Sequence, residues 1–316
     1  MPSNESSSTI DVSPSALSLP GLSAPSSLLG PLCESSNRGP VPRPKMADLS
    51  PQKITARRGR VSAPRGEDAS EGDDSKPTIV FLHGTRLTGA SWTAQVEDLG
   101  DEFHCLTPDL PGHGSARDVT FTVDGAAERV ADLIARDAHG GRAVVVGLSL
   151  GGYVAIAVAA GWPKRVTGLA ISGTTAEPVG PRSMFYRGLA ALFAVVPENV
   201  LDAVNTWFFS WRYPPRIAEP IVRDGFSFAG GAVAVRALVG ERFKPRLAAY
   251  PGPSLLINGE FDLFFRPTER SFMTAAVNPR RLLIRRATHL TNLDQPEAFT
   301  AAIRRFARSA FAVALG

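Results

Sequence analysis

The first 80 positions of this 316-residue chain contain no aromatic residue; all 25 aromatics follow, beginning with Phe81. Residues 1–76 instead hold 10 of the 26 prolines and 16 serines. Such a segment cannot bury enough apolar surface to offset the entropy lost on ordering it. The sequence therefore predicts a disordered tail over residues 1–75 and one globular domain over residues 76–316. Cysteine is almost absent as well: Cys33 falls in the tail and Cys105 in a predicted strand. No disulfide framework is expected, and a reducing, cytoplasmic setting is the natural reading. No run of 18 apolar residues occurs, which argues against a membrane-spanning helix. A secretion signal is not evident either, because the apolar stretch Ser27–Leu32 is short and broken by Gly30 and Pro31. Glu5 and Asp11 disfavour a transit peptide, and Met46 is a second candidate for the initiating residue.

Lysine is scarce, with 5 residues against 29 arginines. Nine basic and nine acidic residues balance within positions 1–76, so the net charge of +4 belongs to the domain. That weak field, without a Lys/Arg stripe, does not suit a nucleic-acid groove. The expected partner is a small molecule, with neither nucleic acid nor membrane involved, and the oligomeric state is left open.

What is present from Thr78 onward is an alternation of short β-branched runs with amphipathic stretches. Strands are expected at Thr78–Leu82, Phe103–Thr107, Arg142–Val146, Val166–Ile171, Ser254–Ile257 and Arg281–Arg285. Most are apolar on both faces, as strands covered by helices on each side must be. Helices are expected near Ser91–Leu99, Val123–Ala138, Gly151–Ala160, Thr268–Ala276 and Pro296–Val313. The pattern predicts an α/β fold with a doubly wound, mostly parallel sheet. Between Thr174 and Tyr250 no strand pattern appears. Helical stretches (Arg187–Val195, Glu198–Phe209, Ala232–Val239) fill that interval, so an inserted helical cap is expected at about residues 176–248. Trp207, Phe208, Phe209, Trp211 and Tyr213 cluster there. Trp207, Phe208 and Trp211 are candidates for lining a substrate pocket, with helix-packing core the equal alternative.

Gly147-Leu148-Ser149-Leu150-Gly151 fits G-x-S-x-G, a pattern whose weight depends on context. Here a buried strand runs directly into it and a small-residue helix runs out. A turn that sharp strains the serine, and the flanking glycines keep Cβ atoms away. Ser149 would then stand above the carboxyl ends of the strands, where open α/β sheets bind ligands. A serine nucleophile needs a base, and a base needs an orienting acid. Of the five histidines, His139 reads as a helix-end residue, His104 as sheet, His113 as a tight-turn residue, and His83 as important for its backbone. His289 follows the last strand and is the candidate base. Asp262 follows the preceding strand and is the candidate acid, with Glu260 as its rival and Asp294 a weaker one. The backbone N–H groups of Leu150 and Thr85 are candidate oxyanion donors. The scheme calls for no cofactor and no metal.

With these residues in place, the chain resembles the α/β-hydrolase superfamily, in its serine esterase and lactonase-like branch. The resemblance rests on His83-Gly84, Pro108-Asp109-Leu110-Pro111-Gly112-His113-Gly114, Gly147–Gly152, Asn258–Asp262, Ala287-Thr288-His289 and Asp294–Glu297, and covers about Pro77 to Val313. It implies Ser149 as nucleophile, Asp262 as acid, His289 as base, and Thr85 and Leu150 as oxyanion donors. Leu148 stands where many members carry His, Thr288 replaces a common Gly, and Asp294 a common Glu. The two antiparallel strands that usually open the sheet are not obvious; Ile54–Ala56 and Arg60–Ser62 are the candidate remnants. A serine nucleophile disfavours dehalogenase and epoxide-hydrolase chemistry. The expected function is a serine hydrolase of a small, largely apolar ester, thioester or lactone. The same residues would also serve a C–C bond hydrolase or a cofactor-free perhydrolase. From another class, a ligand receptor or inactive scaffold would keep the pocket without turnover.

Overall fold

The computed structural model describes residues 76–315. The expected tail and the candidate strand remnants at 54–56 and 60–62 lie outside the described residues. Six parallel strands form one sheet in the order β2-β1-β3-β4-β5-β6. They are β1 (Thr78–Leu82), β2 (His104–Leu106), β3 (Ala143–Leu148), β4 (Val166–Ser172), β5 (Pro253–Gly259) and β6 (Asn278–Ile284). Helices α1 (Thr93–Leu99), α2 (Val123–Asp137), α3 (Leu150–Gly161), α9 (Glu269–Ala275) and α11 (Pro296–Leu315) supply the crossovers and the outer layers, and a single turn, α10 (Thr291–Asp294), leads into α11.

Successive strand residues point to opposite faces, and the sequence supplies apolar side chains on both. Val80 and Leu82 of β1 join Val145, Leu169, Ile171 and Leu256 beneath α2, α3 and α9. Ile79 and Phe81 of the same strand join Val144, Val146, Ala170, Leu255 and Ile257 beneath α1 and α11. Full burial of each such side chain contributes about 1.5–3 kcal/mol, so the sheet is stabilised from both sides. Edge strand β2, by contrast, leaves His104 exposed.

Between β4 and β5 lie five helices: α4 (Ser183–Val195), α5 (Glu198–Arg212), α6 (Pro215–Asp224), α7 (Phe228–Leu238) and α8 (Phe243–Ala248). The sequence pattern suggested three. Helix α6 was hidden by Pro214, Pro215 and Pro220. Proline at the first helical position has no N–H that could have been bonded, and its fixed φ suits the helix start. Ile217, Ala218 and Ile221 then pack on Leu87, Phe209 and Tyr213, enough to carry Pro220 inside the helix. In α8, Phe243 and Leu247, one turn apart, are both buried, with Pro245 still in the first turn. Among the described residues no single helix is long and apolar enough to cross a membrane.

Strand order reverses direction between β1 and β3, so the chain segments leaving these two strands diverge above the sheet. That crevice is the topological switch point of a doubly wound sheet. Helix α3 starts against it. A Cβ on Gly151 would collide with the carbonyls of Leu82 and His83, and one on Gly147 with the carbonyl of Gly151. Gly151→Ala is therefore expected to cost about 1–3 kcal/mol of stability, as overpacking does. The urea midpoint of unfolding, compared with wild type at constant m, measures it.

Candidate active site

Ser149 joins β3 to α3 with φ 53° and ψ −114°, a conformation that costs a non-glycine residue about 1–3 kcal/mol. It persists because both flanks are fixed. The Ser149 N–H donates to the Ser172 carbonyl at the end of β4 (2.8 Å), and the Ser149 carbonyl accepts the N–H groups of Gly152 (2.9 Å) and Tyr153 (3.2 Å). Ser149 opens onto a cavity of about 460 Å³ that His289, Asp262, Thr85 and Leu150 also line.

His289 and Asp262 come together from the loops after β6 and β5. His289 Nδ1 and Asp262 Oδ2 are 2.9 Å apart. The carboxylate side chain is 3% exposed and the imidazole 34%. Asp262 Oδ1 accepts the Phe265 N–H at 3.1 Å, and the Phe265 ring stacks on the imidazole with centroids 4.8 Å apart. With Nδ1 donating to the carboxylate, Nε2 is the nitrogen left to accept a proton. No hydrogen bond links Ser149 Oγ to this imidazole among the described residues.

The rival carboxylates are engaged elsewhere. Glu260 Oε2 accepts the Arg286 N–H at 2.9 Å. Asp294 Oδ2 accepts the Thr288 N–H (2.7 Å) and hydroxyl (2.6 Å), while its Oδ1 accepts from Arg212 (2.9 Å) and Tyr213 (3.1 Å). Asp294 thus braces the loop that carries His289 against the end of α5.

The loop after β1 lies against Ser149: a Cβ built on Gly84 would stand 3.7 Å from the serine Cβ. This loop turns tightly, with the Leu87 N–H donating to the Gly84 carbonyl at 3.2 Å. Thr85 is the second residue of that turn. Neither its N–H nor that of Leu150, the first residue of α3, has a protein acceptor among the described residues.

The aromatic candidates of the insertion are placed differently from expectation. Trp207 and Trp211 are 63% and 69% exposed, and neither they nor Phe208 line the cavity. Helix periodicity explains this: Leu201, Asn205, Phe208 and Phe209 face inward, which turns Val200, Val204, Trp207 and Trp211 to solvent. The two tryptophans stack on each other instead, 5.8 Å apart, and Phe208 packs edge-on against Phe209 and Tyr213. The wall over the site comes from α4, through Phe185, Tyr186 and Leu189, and from Val235 and Leu238 of α7. Phe264 and Phe265 complete the apolar lining. Tyr153, one helical turn after Ser149, could have been found from spacing alone. Its hydroxyl meets that of Tyr186 at 2.6 Å, and both bond the Ala176 carbonyl. Burial holds both phenols in their neutral form by raising their pKa values.

His83 and His113 are buried beside the site rather than in it. His83 Nε2 accepts the Leu110 N–H and Nδ1 donates to the Gly84 carbonyl, both at 2.9 Å. Burial, aided by nearby His113, pushes the His83 pKa down to about 3. This neutral imidazole ties the loop after β1 to the one after β2.

A profile of the alpha/beta hydrolase family matches residues 79–302. The chain belongs to this family. It is 24% identical to 3-oxoadipate enol-lactonase 1 of Acinetobacter baylyi over 84% of this chain and 99% of that one. A shorter match, 39% identical over 98 residues, joins it to an AB hydrolase superfamily protein of Gibberella zeae and spans 35% of that protein and 30% of this chain. Among solved structures, a thermophilic esterase from Thermogutta terrifontis superposes with a TM-score of 0.62 at 28% identity, covering 74% of this chain and 92% of that chain.

The buried His83 makes the fold sensitive to acid. Below the ordinary histidine value of 6.5 an unfolded chain protonates this side chain, whereas the folded one refuses the proton until about pH 3. Stability present above pH 6.5 is therefore lost as the pH falls toward 3, by up to about 1.4 kcal/mol per pH unit from this group. His83→Phe is expected to be less stable at pH 7 but to lose less between pH 6.5 and pH 4.5 than wild type. Urea midpoints across that range read the difference in slope.

Proposed function

We propose that this alpha/beta hydrolase is a serine hydrolase that cleaves a small, largely apolar carboxylic ester, thioester or lactone through an acyl-enzyme. The observation that carries the reading is the 2.9 Å pair of His289 Nδ1 and Asp262 Oδ2 at the wall of the cavity that Ser149 enters. The relatives named for lactone and ester hydrolysis support the same substrate class.

In the proposed reaction Ser149 Oγ attacks the substrate carbonyl carbon and its proton passes to His289 Nε2. Asp262 holds the tautomer that leaves Nε2 free and stabilises the imidazolium that forms. Charge builds on the carbonyl oxygen, which accepts the idle N–H groups of Leu150 and Thr85; the N-terminus of α3 adds its dipole. Collapse expels the alcohol or thiol, protonated by His289, and leaves Ser149 acylated. Water then enters by the same route in reverse roles, releasing the acid and the free serine. The hydrogen bond from Ser149 to His289 belongs to the substrate complex, since catalytic contacts tighten on binding. Apolar walls from α4, α7 and the Phe264-Phe265 pair suit an acyl chain. The volume lies within the range of about 300–1,000 Å³ typical of small-molecule sites.

Ser149→Ala should lower kcat on p-nitrophenyl acetate by at least about 10⁴-fold and abolish covalent labelling by a fluorophosphonate, and Asp262→Asn should cost about 10⁴-fold with labelling slowed. Turnover near wild type in Ser149→Ala would exclude the serine mechanism.

A further inference from the structure

Exposed apolar side chains are gathered around the insertion and the mouth of the cavity. Of the 13 large apolar residues exposed among the described residues, all but Val277 and Val313 lie on α4, α5, α7 and the loop after β5. Helix α4 is apolar nearly all round, with Arg187 its single charge in 13 residues, yet it buries only Tyr186, Ala190 and Phe193. A helix of that composition is ordinarily enclosed by protein or by lipid. Helix α5 turns a second apolar stripe, Val200, Val204, Trp207 and Trp211, to solvent. Together Gly180–Val195 and Glu198–Arg212 have the apolar length of a bilayer span, but a bend of 111° separates them. A pair bent in this way lies along a surface more readily than it crosses one. Apolar faces of such extent mark interaction sites.

Two observations identify what covers this face. The first is its continuity with the cavity. Phe185, Phe261 and Leu263 line the cavity and are exposed as well, Leu263 at 83%. Phe185 also stacks on Phe264 of the same wall, with centroids 4.0 Å apart, so apolar surface runs from the outside of α4 into the cavity. At the far end of α4, Val195 lines a second, open groove of about 680 Å³ with Val233 of α7. The second observation is charge. Arg182, Arg187, Arg236 and Arg266 are exposed on these elements, and none pairs with a carboxylate among the described residues. Helices α4, α5 and α7 hold only two acids, Glu198 and the half-buried Asp202. A second copy of the chain fits this face poorly, since a two-fold contact would set arginine against arginine and close the cavity mouth. Anionic headgroups match the arginines, and tryptophan rings suit the boundary between headgroup and acyl chain.

We infer that this face docks on the surface of a membrane containing anionic lipid, with the cavity mouth turned to the bilayer. The expectation that no membrane is involved rests on the lack of a spanning run, and a surface contact needs none. Docking does not depend on the serine mechanism; only the delivery of an apolar ester from the bilayer to Ser149 does.

The test sediments the full chain with vesicles of phosphatidylcholine, alone or with phosphatidylglycerol as about a third of the lipid. Wild type and Ser149→Ala are expected to bind the mixed vesicles equally, and less tightly as salt rises. Failure of the serine mechanism and failure of docking are thereby read separately. The pairs Trp207→Ser with Trp211→Ser, and Leu192→Ser with Val195→Ser, change exposed positions only. Each pair should weaken binding at least about tenfold while leaving the melting temperature near wild type. Arg182→Gln with Arg187→Gln should remove most of the preference for phosphatidylglycerol. Val277→Ser with Val313→Ser, the exposed apolar residues outside this face, should bind as wild type does. No binding to the mixed vesicles, or binding that survives both apolar double substitutions, would overturn the assignment. So would a lipid-free dimer that those substitutions abolish, which would make a second copy of the chain the occupant.

Discussion

Helix α3 begins where β1 and β3 end, and the backbone there is packed so closely that no side chain fits between them. The carbonyls of Leu82 and His83 occupy the space a Cβ on Gly151 would need, and Gly147 meets the Gly151 carbonyl in the same way. Held between these contacts, the chain must pass from strand to helix in a single residue, and that residue is Ser149 at φ 53°. The strain is local and is met by core burial on both faces of the sheet. Its consequence is positional. The same close packing brings Gly84 to the serine and places Thr85 and Leu150 on the wall of one cavity, because β1 and β3 are adjacent in register, Leu82 opposite Gly147.

The second half of the site depends on β5 and β6 in a similar way. These strands pair in register from Pro253 opposite Asn278 to Gly259 opposite Ile284, so their exit loops leave side by side. Backbone bonds across the two loops, Glu260 N–H to Ile284 and Phe261 N–H to Ala287 (both 2.9 Å), keep Asp262 within reach of His289. The neighbouring carboxylates serve the scaffold. Glu260 caps the Arg286 amide, and Asp294, its side chain fully buried, takes four donors from Thr288, Arg212 and Tyr213. The three acids thus have three distinct settings, decided by which donors face each one.

Much of this arrangement was legible in the sequence. All six strands lie where short apolar β-branched runs stood, with edges shifted by at most three residues, since buried parallel strands demand such runs. The small residues about Ser149 mark the turn in the sequence itself, because steric exclusion acts on the nearest neighbours in the chain. Facing in the inserted helices was harder to read. Helix α5 carries two apolar stripes, Leu201–Phe208–Phe209 and Val200–Val204–Trp207–Trp211, and hydrophobicity alone ranks the second at least as high. Which stripe turns inward is settled by Phe226 and Tyr213 packing on Phe209, with Phe228 against Phe226, contacts that no local pattern encodes. Helix α6 was obscured for a related reason, its three nearby prolines outweighing an inward face visible only once Leu87 and Phe209 are in place.

The insertion also determines how the polar groups at the cavity's edge behave. Asn205 on the inward face of α5 fixes Arg86, and Tyr213 at its end joins Asp294 and so the loop bearing His289. One helix therefore braces both the turn after β1 and the loop that carries the imidazole. Burial lowers the pKa of the Arg86 guanidinium to about 10, which still leaves it a cation at neutral pH. The same surroundings penalise an unpaired cation, and a sequence that keeps arginine at a left-handed turn position carries both the backbone strain and the desolvation cost. The bond from Arg86 Nε to Asn205 ties this turn to α5 and offsets part of that cost.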